Sequence, residues 1–176
     1  MKSHNLLCCI SQIGTDVCIE SAVSERFNRV DLYTKWTKEL RYFFFRYEEH
    51  LSKISDVQIN QVIWYDIWES DLNDTIEHIS PQNKNNSGWN HITDVEHQEL
   101  LHSIGNICLL SPKLNREASN KCFNDKKNIY NKANLITLKD ILCDEKGLDR
   151  NVWDKDAINS RREQLIKFAM ERRKDL

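Results

Sequence analysis

Apolar residues between Ser24 and Ile54 recur every three or four positions: Phe27, Val30, Tyr33, Trp36, Leu40, Phe43, Phe44, Tyr47, Leu51 and Ile54. That spacing predicts a long amphipathic helix whose aromatic stripe faces the core. Ser24 is its expected N-cap, with Glu25 in the first turn. Ile59 to Trp68 is apolar and aromatic, which suits either a helix or a buried strand. Thr75-Ile76-Glu77-His78-Ile79 alternates, is rich in β-branched residues and runs into Pro81, so it reads as a short strand. Gln82 to His91 is a polar loop, and Asp94 to Ser103 reads as a helix with Val95, Leu100 and Leu101 inward. Gly105 to Leu110 reads as a second strand, closed by Ser111-Pro112. Asn115 to Asn134 and Val152 to Lys174 read as amphipathic helices. The pattern predicts an α+β, mostly helical chain in which a strand–loop–strand–helix unit, about 75–134, lies embedded among helices. Residues 1–23 are expected as an N-terminal segment and residues 24–176 as one domain.

Composition sharpens this picture in three places. Only 4 Gly and 2 Pro stand among 176 residues, which favours helix over loop-rich architectures. No apolar run approaches the length that crosses a bilayer, and the patch Leu6 to Ile10 is short for a signal peptide. The cytoplasm is therefore the expected compartment, with no membrane partner. The 6 cysteines are scattered and show no CxxC or HxxxH ligand spacing, so they read as reduced, buried, small apolar residues.

Charge is segregated along the chain. Trp64 to Leu101 carries eight acidic residues against Lys84 alone, whereas Lys113 to Lys139 carries seven basic residues against Glu117 and Asp125. An acidic stretch followed by a basic one suits a site holding a cation beside a phosphate, and equally suits two solvated faces.

The chemistry-bearing residues fall on the strand–loop–strand–helix unit. Glu77 and His78 are adjacent, and neighbours on a strand point to opposite faces. They reach one site only if the strand ends there. Histidine is the side chain whose ordinary pKa suits a general base at neutral pH. Glu77 and the amide oxygen of Asn115 are hard donors suited to Mg²⁺ or Mn²⁺, and Arg116, Lys121, Lys126 and Lys127 are placed to meet phosphates. His91, His97 and His102 are expected as surface polar residues, Trp89 as core, and Arg161, Arg162, Arg172 and Arg173 as a solvated face.

Glu77-His78-Ile79-Ser80-Pro81-Gln82, followed by Gly105-Asn106-Ile107-Cys108-Leu109-Leu110 and then Asn115, resembles the HNH, or His-Me finger, nucleases. The nearer resemblance, from about Tyr42 to the final helix, is to the C-terminal HNH-like nuclease domain of GmrSD-type modification-dependent restriction enzymes. That resemblance implies His78 as general base, Glu77 and Asn115 as ligands of Mg²⁺ or Mn²⁺, and Asn106 as the residue that pins the loop and hydrogen-bonds the histidine. It implies a metal-dependent endonuclease acting on DNA in defence against foreign DNA. The third HNH position is Asn rather than His, and no NTP-binding domain is visible in the chain, so a separate targeting or NTPase partner is expected. A toxin-like RNase and a non-catalytic nucleic-acid-binding adaptor are the alternatives.

Overall fold

The structure, a computed structural model, describes residues 16–27, 32–84, 88–144 and 146–173. The apolar patch Leu6 to Ile10 lies outside the described residues, as does Val30. Helix α1 spans Asp16–Phe27, α2 Leu32–Lys35 and α3 Thr37–Ser55. The single helix expected from Ser24 is thus divided, and Ser24 lies inside α1 rather than capping it. Trp36 makes the break before α3, at φ −121° and ψ 28°. Helix α3 ends at Asp56, which turns left-handed (φ 52°) and donates its backbone N–H to the Ser52 carbonyl. Its aromatic stripe is core: Phe43 lies 5.2 Å from Phe27 on α1 and 5.5 Å from Phe168 near the C-terminus.

The ambiguous segment is a helix, α4 (Gln61–Glu69), capped by Asn60, whose side chain accepts from the Ile63 N–H. A single turn, α5 (Leu72–Thr75), leads into β1 (Ile76–His78). Strand β1 pairs antiparallel with β2 (Ile107–Leu109), with Ile76 opposite Leu109 and His78 opposite Ile107. Between the strands runs α6 (Asp94–Leu100), opened by a capping box in which Thr93 and Glu96 satisfy each other's backbone N–H groups. Val95, expected inward, is 65% exposed. Leu100 is buried as expected, and His97 reaches the Pro81 carbonyl.

The first half of the expected second strand is a 3-10 turn, Ile104–Asn106. Gly105 explains why. A Cβ there would lie 2.1 Å from the Ile158 carbonyl oxygen of the last helix, α10 (Lys155–Arg173), so only glycine permits that approach. Arg161 on α10 is buried and donates to the carbonyls of Gly105 (2.9 Å) and Ile107 (2.7 Å). The solvated face expected of the final helix therefore excludes Arg161. The helix expected from Asn115 is two helices, α7 (Pro112–Ala118) and α8 (Phe123–Ala133), separated where Ser119 takes φ 43°. A further turn, α9 (Lys139–Leu142), precedes α10. Mostly helical with a two-stranded antiparallel sheet, the chain is α+β, and the apolar core of the described residues is a cluster running from Val23 to Ala169.

Candidate active site

Strand β1 separates its two polar side chains. The Glu77 carboxylate is buried under α8, where Oε1 accepts from Lys126 Nζ at 2.6 Å and from the Tyr130 hydroxyl at 2.9 Å. Lys126 also donates to the His78 carbonyl at 2.7 Å, so it ties both residues to α8. Burial pushes the Glu77 carboxyl above the ordinary glutamate range, and the Lys126 charge pulls it back. The His78 ring turns the other way. Its Nε2 lies 3.2 Å from Nδ1 of His102, and Tyr33 packs edge-on against it with ring centres 4.7 Å apart. Tyr33 also stacks on His102, at 5.5 Å and 8° between planes.

Because β1 ends at His78, both residues still reach one place. A cavity of about 200 Å³ is lined by Glu77 and His78 together with Tyr33, Gln82, Asn115 and Asn120. Burial first, and then electrostatic coupling to His102, Lys126 and His97, pushes the His78 pKa down to about 3. The His102 pKa is lowered as well, by burial first and by His97 second. Both shifts favour the neutral imidazole, the form that can accept a proton, while holding His78 near 3 makes it a weaker base than an ordinary histidine.

Asn106 is fully buried and spends its whole side chain on the turn after β1. Its Nδ2 donates to the carbonyls of Ser80 and Leu101, each at 3.0 Å, and its Oδ1 accepts from the Ser80 N–H at 2.8 Å and Trp153 Nε1 at 3.2 Å. Two donors and two lone pairs are all an amide offers. The expected hydrogen bond from Asn106 to the histidine is therefore not made. Asn106 instead staples the backbone that follows His78 to the segment between the strands. Asn115 stands one turn into α7 and donates Nδ2 to the carbonyls of Asp74 (2.8 Å) and Ile76 (3.2 Å). Its Oδ1 has no hydrogen bond among the described residues.

The family model described as GmrSD restriction endonucleases, C-terminal domain, matches residues 20–168. The chain belongs to that family. No curated protein and no solved structure matches it.

In this GmrSD C-terminal domain the basic stretch is divided by the fold. Lys126, expected on phosphate, is completely buried in its ion pair with Glu77, because the carboxylate beneath α8 is bonded to no other cation among the described residues. Lys127 is bound to Asp149, at 2.6 Å, and to the Arg150 carbonyl. Arg116 and Lys121 are exposed, as is Lys113, and α7 carries the first of them one residue from Asn115. His91, exposed as expected, reaches the Trp153 carbonyl at 3.1 Å, and half-buried His97 reaches the Pro81 carbonyl at 2.8 Å. Trp89 is buried, as expected, with its Nε1 on the Lys121 carbonyl.

His102 is the residue that sequence reading passed over. The signal for it was topological: whatever connects β1 to β2 must close over the end of the sheet, and the residues preceding Gly105 come back to His78. As donors for a cation, the cavity offers the Glu77 carboxylate and several amides, Asn115 among them. Both side-chain hydrogen bonds to Glu77 fall on Oε1, and Asn115, whose Oδ1 is unspent, lines the same cavity. Among the described residues no group of three or more His, Cys, Asp and Glu side chains is disposed for a metal ion. No helix of the described residues is long and apolar enough to cross a membrane.

Proposed function

We propose that this GmrSD C-terminal domain is an HNH-type endonuclease that hydrolyses DNA phosphodiester bonds with His78 as general base and one Mg²⁺ or Mn²⁺ per site. The observation that carries the reading is a neutral histidine at the end of β1, in one cavity with the Glu77 carboxylate and the free Asn115 carbonyl oxygen. Two hard oxygens fit an ion that takes one or two protein ligands and completes its shell with water. Glu77 and Asn115 hold it, and the bound ion supplies positive charge to the scissile phosphate and the departing oxygen.

The protein's own residues do the rest. His78 takes the proton of the attacking water at Nδ1, the ring nitrogen not bonded to His102. Lys126 and Tyr130 hold Glu77 in place from beneath, and Asn106 fixes the backbone turn that ends the strand. Arg116, Lys121 and Lys113 are the exposed cations that position the phosphate backbone, without reading sequence. Lys127 joins them only by releasing Asp149. Family membership supports a role in restricting foreign DNA, and a separate targeting or NTPase partner is proposed with it.

Purified protein incubated with plasmid and with total RNA, each with Mg²⁺, Mn²⁺ or EDTA, tests the reading. Plasmid cleavage that needs the metal is expected, and His78→Ala is expected to lower its rate by about 10²–10⁴. Degradation of RNA alone makes the domain a ribonuclease. His78→Ala cutting within twofold of the unaltered protein overturns the assignment of the base.

A further inference from the structure

We propose that His102 is a positioning residue for the reaction: it fixes the tautomer of His78 so that Nδ1, the nitrogen not bonded to His102, carries the lone pair. The inference rests on the nuclease reading above and adds a residue to it.

The geometry is specific. His78 Nε2 and His102 Nδ1 are 3.2 Å apart, a hydrogen-bonding distance between two ring nitrogens. One hydrogen lies between two neutral rings, so one nitrogen donates and the other accepts. If His78 Nε2 donates, His78 Nδ1 is unprotonated and can accept a proton from water. If His102 Nδ1 donates, the hydrogen of His78 sits on Nδ1 and the ring is no base at all. Which nitrogen of a histidine carries the proton is set by the hydrogen bond the other one makes.

Three features favour the productive arrangement. His78 makes no other side-chain hydrogen bond among the described residues, so nothing competes with His102 for its tautomer. His102 is only half-buried and makes no hydrogen bond through Nε2 among the described residues, so that nitrogen can keep the hydrogen while Nδ1 accepts. Tyr33 touches both rings, edge-on to His78 and stacked on His102, so neither imidazole is free to turn away. Asn106 does not share the task, since its four hydrogen-bonding positions are spent on Ser80, Leu101 and Trp153. His97 is likewise committed to the Pro81 carbonyl.

The test separates the nitrogen from the ring. His102→Phe keeps an aromatic face for Tyr33 and removes the acceptor. His102→Asn places an amide atom close to where Nδ1 stood, whereas His102→Gln carries it one bond further. With plasmid substrate, His102→Phe is expected to lower kcat by about 10- to 100-fold, the usual cost of losing such an outer partner. KM for DNA is expected to stay within about twofold, and His102→Asn to recover more activity than His102→Gln.

Nitrogen-15 NMR of the free protein supplies a readout that needs no activity. In the unaltered protein His78 is expected as its Nε2–H tautomer, and His102→Phe is expected to shift it toward a mixture. His78 found with its hydrogen on Nδ1, or a kcat unchanged in His102→Phe, overturns the proposal. If His102→Phe does not fold, the tautomer in the unaltered protein decides alone. Failure of the nuclease reading looks different: no cleavage by the unaltered protein, or full cleavage by His78→Ala, whatever the tautomer.

Discussion

In the helical frame, rings pack on rings: Phe43 of α3 contacts Phe27, Phe44 and Phe168, and Phe45 contacts Trp64 on α4. In the finger between Ile76 and Ala133, the buried residues include Glu77, His78, Ser80, Asn106 and Lys126. The two regions solve different problems. Apolar contacts are non-directional and add roughly in proportion to the area removed from water, so the frame supplies stability and tolerates repacking. Two strands of three residues each make too small a sheet to stand alone. The finger is held from outside by Arg161 and Trp153, and its inner geometry is set by hydrogen bonds that work only at one distance and angle. The lesson is that the site is positioned by buried polar groups and supported by the apolar frame around them.

Three substitutions break or sharpen this contrast. The largest effect is expected for Lys126→Met, which strands the Glu77 carboxylate in the interior and should cost about 3–5 kcal/mol in denaturant unfolding. Adding Glu77→Gln should recover a large part of that loss, because an amide is cheaper to leave beneath α8 than a charge. A loss below about 1 kcal/mol for Lys126→Met would show that the ion pair does not hold the finger.

Next is Gly105→Ala. Its Cβ would meet backbone at 2.1 Å, which no rotamer change relieves. About 3 kcal/mol of stability should be lost, at the upper end of the usual overpacking cost, and cleavage should fall with it because Asn106 follows directly in the chain. Thermal unfolding measured alongside plasmid cleavage checks both halves of that statement.

The smallest effect belongs to the frame. Phe43→Leu should cost about 1–2 kcal/mol, since neighbouring rings can close partly around the smaller side chain. Below the unfolding transition it should leave the cleavage rate within about twofold, because Phe43 touches none of the polar groups that set the finger. A loss of activity as large as that of Gly105→Ala would erase the distinction between frame and finger.

Much of the site is legible in the order of residues alone. Glu77-His78 ending a strand and Asn115 on the helix after β2 stand where that order suggests, whereas Gly105-Asn106, expected inside the second strand, form the turn ahead of it. Turn chemistry and strand termination depend on residues a few positions apart, which is the range over which sequence pattern speaks. The breaks at Trp36 and Ser119 are not legible, since each interrupts a stretch whose apolar spacing continues across it.

The sequence by itself determined most element types, outside Ile59 to Trp68 and Gly105-Asn106, together with the aromatic stripe of α3 and the linear order of the chemistry-bearing residues, because periodicity and turn residues act locally. Only the tertiary structure decided which polar side chains face inward. Lys126 and Glu77 are 49 residues apart, His102 and His78 are 24 apart, and Arg161 reaches Gly105 across 56. A long basic side chain lies along the surface unless a buried acceptor waits for it, and no pattern on its own helix reveals that acceptor. Lys126 and Arg161 therefore read as surface charges in the sequence and stand as interior pins in the fold. The same reason hid His102: a hydrogen bond between two rings exists only once the chain between the strands has closed over the sheet.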